Sequence, residues 1–74
     1  IKYGVPEAAD VTLTIFDLTG RKVRTLVDKN QEAGWHNSRW DGETDAGTKV
    51  GTGMYFYRLK AGDFTRVKKM IIIK

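Results

Sequence analysis

Apolar and polar residues alternate along most of this chain with the period of a β-strand. In residues 11–16, Val11, Leu13 and Ile15 fall on one side, and Thr12 and Thr14 on the other. β-Branched residues fill that run, as a pleated and half-buried surface prefers. Residues 22–27 follow as a second strand and pair with the first as a hairpin. In residues 54–60, Arg58 and Lys60 belong in water, which turns Tyr55, Tyr57 and Leu59 inward. Residues 34–40 form another strand, with Trp35, Asn37 and Arg39 on one face and His36, Ser38 and Trp40 on the other. That places Trp40 in the core and Trp35 outside it. Residues 63–73 close the chain as a last strand. Its phase is confused, because Phe64 and Val67 share a face only if a bulge falls near Thr65 and Arg66.

Turn chemistry separates these runs. Pro6 lacks an N–H and holds Val5 extended, so it breaks a short opening strand at residues 1–3. Asp17-Leu18-Thr19-Gly20 is a turn in which the aspartate bonds its own backbone two residues on. Ala61-Gly62 makes a tight hairpin turn. Residues 41–53 form a glycine-rich connection, with a short strand predicted at 48–50. The pattern predicts about seven strands, turn signals every ~8–12 residues and no helix. The expected fold is an all-β, antiparallel β-sandwich, occupying residues 1–74 as a single module.

The chain has 74 residues and no cysteine. A domain this small buries roughly 60% of its unfolded surface, so packing alone must hold a modest core. His36 is the sole histidine, which with no thiolate excludes an ordinary structural zinc site. No cofactor is expected. No apolar run approaches the roughly 20 residues of a membrane helix. The opening at Ile1, without methionine, reads as entry part-way into a longer protein.

Two constellations invite chemistry. Asp41, Glu43 and Asp45 alternate like the first ligands of a calcium loop. Gly47 then falls one place late, and Thr52 stands where a bidentate glutamate belongs. Turn capping by Asp41 and Asp45 explains the same residues more simply. His36 and Ser38, with Asp41, hint at nucleophilic catalysis, but they lie on one strand with no elbow to expose the serine. No enzyme is expected.

Several motifs stand in a family's order: residues 11–27, Ala33-Gly34 with His36, Trp40-Asp41-Gly42, Asp45 with Gly47 and Val50, Gly53 with Tyr55-Phe56-Tyr57-Arg58-Leu59, and the closing basic-apolar run. Together they resemble the Ig-like domain of flagellar hook-cap (FlgD-type) proteins. They equally resemble the C-terminal domains of the type IX secretion sorting kind. The resemblance spans nearly the whole chain. It implies a fibronectin-III/Ig-like β-sandwich, a non-catalytic module at the C-terminus of a longer bacterial protein, secreted or held at the cell surface. It also implies structural roles for Trp40, Asp41, Gly42, Asp45, Gly47 and Tyr55, the last as a tyrosine bonded back to loop backbone.

Charge sharpens the functional expectation. Net charge is +4, but Arg58, Lys60, Arg66, Lys68, Lys69 and Lys74 face only one acid, Asp63, in the last segment. The preceding residues are nearly neutral. Such a basic hairpin attracts anionic partners, or simply blunts an edge strand against aggregation. Expected partners are a secretion or attachment machinery, or an anionic cell-surface component, together with upstream domains of the host. Nucleic acid is not expected, because no aromatic ladder is interleaved with the basic residues. The leading expectation is a sorting or anchoring module. The alternatives are a carbohydrate-binding or spacer sandwich, with Trp35 and Tyr3 as stacking platform, and a hook-cap assembly domain.

Overall fold

A computed structural model describes residues 1–73. It contains six strands among these residues: β1 (Lys2–Val5), β2 (Ala9–Asp17), β3 (Lys22–Gln31), β4 (Gly34–Asn37), β5 (Gly53–Ala61) and β6 (Phe64–Ile72). No helix interrupts them. β1 and β4 make a small antiparallel sheet, and the other four make an antiparallel sheet in the order β3-β2-β5-β6. The all-β, antiparallel class is therefore as expected, with six strands in place of about seven. The predicted strand at 48–50 reduces to one isolated bridge between Glu43 and Lys49.

The β2 alternation sets the core. Val11, Leu13 and Ile15 are fully buried. They stand opposite Ala61, Leu59 and Tyr57 of β5, so the inner face of both strands is one apolar surface. The small sheet adds Tyr3 and Val5 to the cluster of Val11, Leu13, Leu59 and Ala61. The two sheets thus share one core.

The hairpin between β2 and β3 turns on Asp17. Its Oδ1 accepts from the Thr19 hydroxyl at 2.6 Å, the Thr19 amide at 2.9 Å and the Arg21 amide at 3.0 Å. Gly20, at φ 88°, takes the left-handed position that the turn requires. The Thr19 hydroxyl is the main cause that holds the Asp17 carboxyl below its usual range; desolvation opposes it, and the Arg21 and Thr19 amides, with the Arg21 charge, restore the downward direction. A carboxyl depressed on folding stabilises the fold above its unfolded pKa, and that contribution is lost as pH falls through the folded value. A carbon-detected titration should therefore give Asp17 a midpoint below that of a free aspartate, and Thr19→Ala should move it back upward.

Two expectations about strands are corrected. β4 ends at Asn37, so Trp40 lies in the following loop and is half-buried rather than at the centre of the core. β6 carries no bulge at Thr65 or Arg66, since its pairing with β5 is regular from Phe64 to Ile72. Phe64 and Val67 fall on opposite faces, and both keep substantial exposure. No bulge is needed, because β6 is an edge strand that the small sheet does not fully cover. The bulges lie in β3, where the pairing with β2 skips Leu26 and Val23.

Candidate functional site

The β3 bulge receives the 41–50 loop. Within the loop, Val50 N–H donates to Gly42 O at 2.8 Å and Thr44 N–H to Thr48 O at 2.8 Å. Asp45 then docks on β3: its amide donates to Val23 O at 3.0 Å, and its Oδ1 accepts from the Thr25 amide at 3.1 Å. Arg24 reaches Thr44 O at 3.3 Å and Asp41 at 3.8 Å. The edge of β3 at Val23 and Thr25 is thereby occupied by the chain's own loop, one way proteins keep an edge from pairing with strangers.

The same contacts account for the candidate calcium ligands. Asp41 Oδ1 caps the turn through the Glu43 amide at 3.1 Å. Glu43 pairs with Lys49 at 3.5 Å and Asp45 with Lys22 at 3.8 Å. Gly42 and Gly47, at φ 77° and 85°, supply the left-handed turns of this loop. The three carboxylates are thus turned to separate structural partners. Asp41 caps its own turn as expected, whereas Asp45 caps β3 across the loop.

Trp40 and Tyr55 clamp the loop at its two ends. The Trp40 indole N–H donates to Glu43 O at 2.9 Å. Its ring meets Tyr55 edge-on, with centroids 5.4 Å apart at 70°. The Tyr55 hydroxyl donates to Gly51 O at 2.8 Å, the bond back to loop backbone that the resemblance implied. His36 is engaged structurally as well. Its ring stacks on Tyr3, with centroids 5.6 Å apart, and Nε2 lies 2.8 Å from Glu32 O. A carbonyl only accepts, so Nε2 carries the proton there.

The basic residues do not make one patch. In the β5–β6 register, Arg58 and Lys60 stand on the outer face with Val67 and Thr65, and Lys69 stands there opposite Phe56. The Arg58 guanidinium lies over Phe16, 5.0 Å from the ring centroid. Arg66 and Lys68 pair with Leu59 and Tyr57, and therefore stand on the inner face. The expected single basic hairpin surface is corrected to two surfaces on opposite sides of the sheet. Strand alternation is the physical reason, since it sends neighbours to opposite faces. Lys74 lies outside the described residues.

Arg66 and Lys68 line a groove of about 170 Å³ between β6 and the small sheet. Tyr57, Leu59 and Phe64 form its apolar floor, and Lys2, Tyr3 and Gly4 form the far wall. Trp35, 73% exposed, is its rim. The ring lies across Gly4, where an added Cβ would sit 3.2 Å from Cζ3. The Lys2 ammonium is 5.2 Å from the ring centroid. Trp35 is therefore outside the core, as its strand phase predicts. Tyr3 is buried, so the paired stacking platform of Trp35 and Tyr3 does not exist. Sequence reasoning missed Lys2, Gly4 and Phe64 in this groove. The only available signal was a glycine that falls opposite Trp35 once β1 pairs with β4.

Comparison with known proteins bears on this frame. Residues 1–63 match the family model of the FlgD Ig-like domain. The "Basal-body rod modification protein FlgD" of Salmonella typhimurium is 43% identical over 56 residues, which is 76% of this chain and 24% of that protein. The protein of the same name from Salmonella typhi matches to the same extent. The chain thus covers about a quarter of the length of these curated relatives. The matches support the FlgD-type half of the resemblance and not the type IX sorting half. They also correct the expected secreted or cell-surface location, because they attach this pattern to a basal-body rod protein and not to a surface sorting module. With 63 of its 74 residues spanned by the family model, the chain belongs to the FlgD Ig-like domain family.

Proposed function

We propose that this chain is a non-catalytic assembly module of a flagellar hook-cap protein, and that it supplies protein-contact surface to a longer polypeptide. The observation that carries this is the family match across residues 1–63, reinforced by 43% identity to the rod modification proteins. The structure is in keeping with it. The histidine and the loop carboxylates are committed to holding strands and turns. What the surface presents is a shallow groove and apolar-basic strand faces, which suit contact with another protein. The candidate contact residues are Trp35, Arg66 and Lys68 on the groove side, and Arg58, Lys60 and Lys69 on the outer face. Lys74 was a candidate on charge alone.

A chimera tests this. In a Salmonella typhimurium strain lacking its rod modification protein, the intact relative, the relative without its matched segment, and the relative carrying this chain in that segment's place are compared. Swimming and hook formation should be restored by the first and lost with the second, with the chimera recovering part of the difference. Full swimming by the protein without the segment would overturn the assembly role.

A further inference from the structure

From the geometry of the groove we infer that it receives an extended, carboxylate-bearing segment of a partner protein, added as a third strand along the free edge of β1. The inference holds whether or not the host is flagellar.

The edge is free and points the right way. β1 pairs only with β4 among the described residues. Ile1 exchanges main-chain bonds with Ser38 in both directions. In an antiparallel pair such doubly bonded positions alternate. Tyr3, opposite His36, is thus the next doubly bonded position, and Lys2 and Gly4 aim their N–H and C=O away from β4. Those are the groups an incoming strand would pair with, as in other cases of strand addition. β3, by contrast, has its edge at Val23 and Thr25 taken by the Asp45 loop.

The groove also states the chemistry of its occupant. Along β6 the inner face reads Phe64, Arg66, Lys68, and Lys2 adds a third cation from the far wall. No carboxylate lines the groove. Side chains two apart on a strand lie about 6.6–6.8 Å apart on one face. An added strand with the same repeat sets an apolar side chain against Phe64 and carboxylates against Arg66 and Lys68. Trp35 lies across Gly4 at the outer rim, and limits how far a bulky side chain on the other face extends.

The test uses the 74-residue chain, labelled with nitrogen-15, and a capped heptapeptide Thr-Val-Thr-Glu-Thr-Glu-Thr. The expected result is saturable shifts at Lys2, Gly4, Arg66 and Lys68, with slowed exchange of the Lys2 and Gly4 amides. The double substitution Arg66→Glu and Lys68→Glu should weaken binding about tenfold or more, as loss of complementary charge does. Both positions are exposed, so the variant should keep the dispersion of a folded spectrum. A peptide with lysine for glutamate should not bind. Equal binding of that peptide, or unchanged exchange at Lys2 and Gly4, overturns the inference. Protection of those two amides by self-association, rising with concentration and with no peptide added, also overturns it and assigns the groove to a second copy.

Discussion

Leu13→Ala is expected to lower the thermal midpoint by on the order of 15–30 °C, followed by circular dichroism. Leu13 is fully buried at the middle of β2, opposite Leu59 and inside the cluster that joins the two sheets. Removing a buried leucine to the β-carbon costs about 3–5 kcal/mol, the spread reflecting how far the cavity collapses. A domain of this size has a total stability of only about 4–11 kcal/mol, and each kcal/mol shifts the midpoint by about 4–8 °C. There is no disulfide to hold the remainder. Thr12→Ala, on the opposite face of the same strand, is the control and should shift the midpoint by only a few degrees. Equal losses at the two positions would contradict the assignment of β2 faces.

The two tryptophans should respond very differently. Trp40→Ala is expected to cost about 2 kcal/mol, less than the roughly 3–5 kcal/mol of a fully buried aromatic, because Trp40 is only partly buried. It removes the indole bond to Glu43 O and the edge contact on Tyr55, and so frees the loop that covers the edge of β3. Trp35→Ala should change stability by no more than about 0.5 kcal/mol, since the ring is mostly in solvent. Urea midpoints at matched slope separate the two outcomes. A Trp35 variant as unstable as the Trp40 variant would mean that the rim of the groove also holds the fold together.

These two residues mark how far local pattern reaches. The phase of residues 34–37 puts Trp35 outside, and the structure agrees. Extending the same phase to residue 40 puts Trp40 in the core, and there it fails. β4 stops at Asn37, and Trp40 is turned by the Asp41 loop toward Tyr55. The main-chain bonds of the β1–β4 pair reach Ser38, which exchanges two with Ile1, and Trp40 lies two residues further on. The Asp17 turn was legible because its bonds span only a few residues. The anchorage of Asp45 on Thr25 was not, because it joins segments 20 residues apart.

The basic hairpin carries the same lesson for the candidate site. Its composition is visible, and so is its charge. That Arg66 and Lys68 share a groove with Lys2, while Arg58 covers Phe16 on the other side, follows from the register of β6 on β5 and from the reach of the small sheet. The calcium-like spacing of Asp41, Glu43 and Asp45 was equally visible, but each carboxylate is claimed by a partner brought in by folding.

Alternation, β-branched composition and turn residues were enough to settle the all-β class, the inner face of β2 and β5, and both tight hairpin turns. Each is a local matter of which side of a pleat a residue takes, and which backbone angles a turn demands. Edge positions, bulges and coverage belong to the tertiary structure. β6 carries as many apolar residues as an inner strand, yet Val67 and Ile71 remain 58% and 64% exposed because β6 lies at the sheet's edge and both face outward. Burial is a property of what lies across a face, and a strand's own sequence does not contain its neighbour.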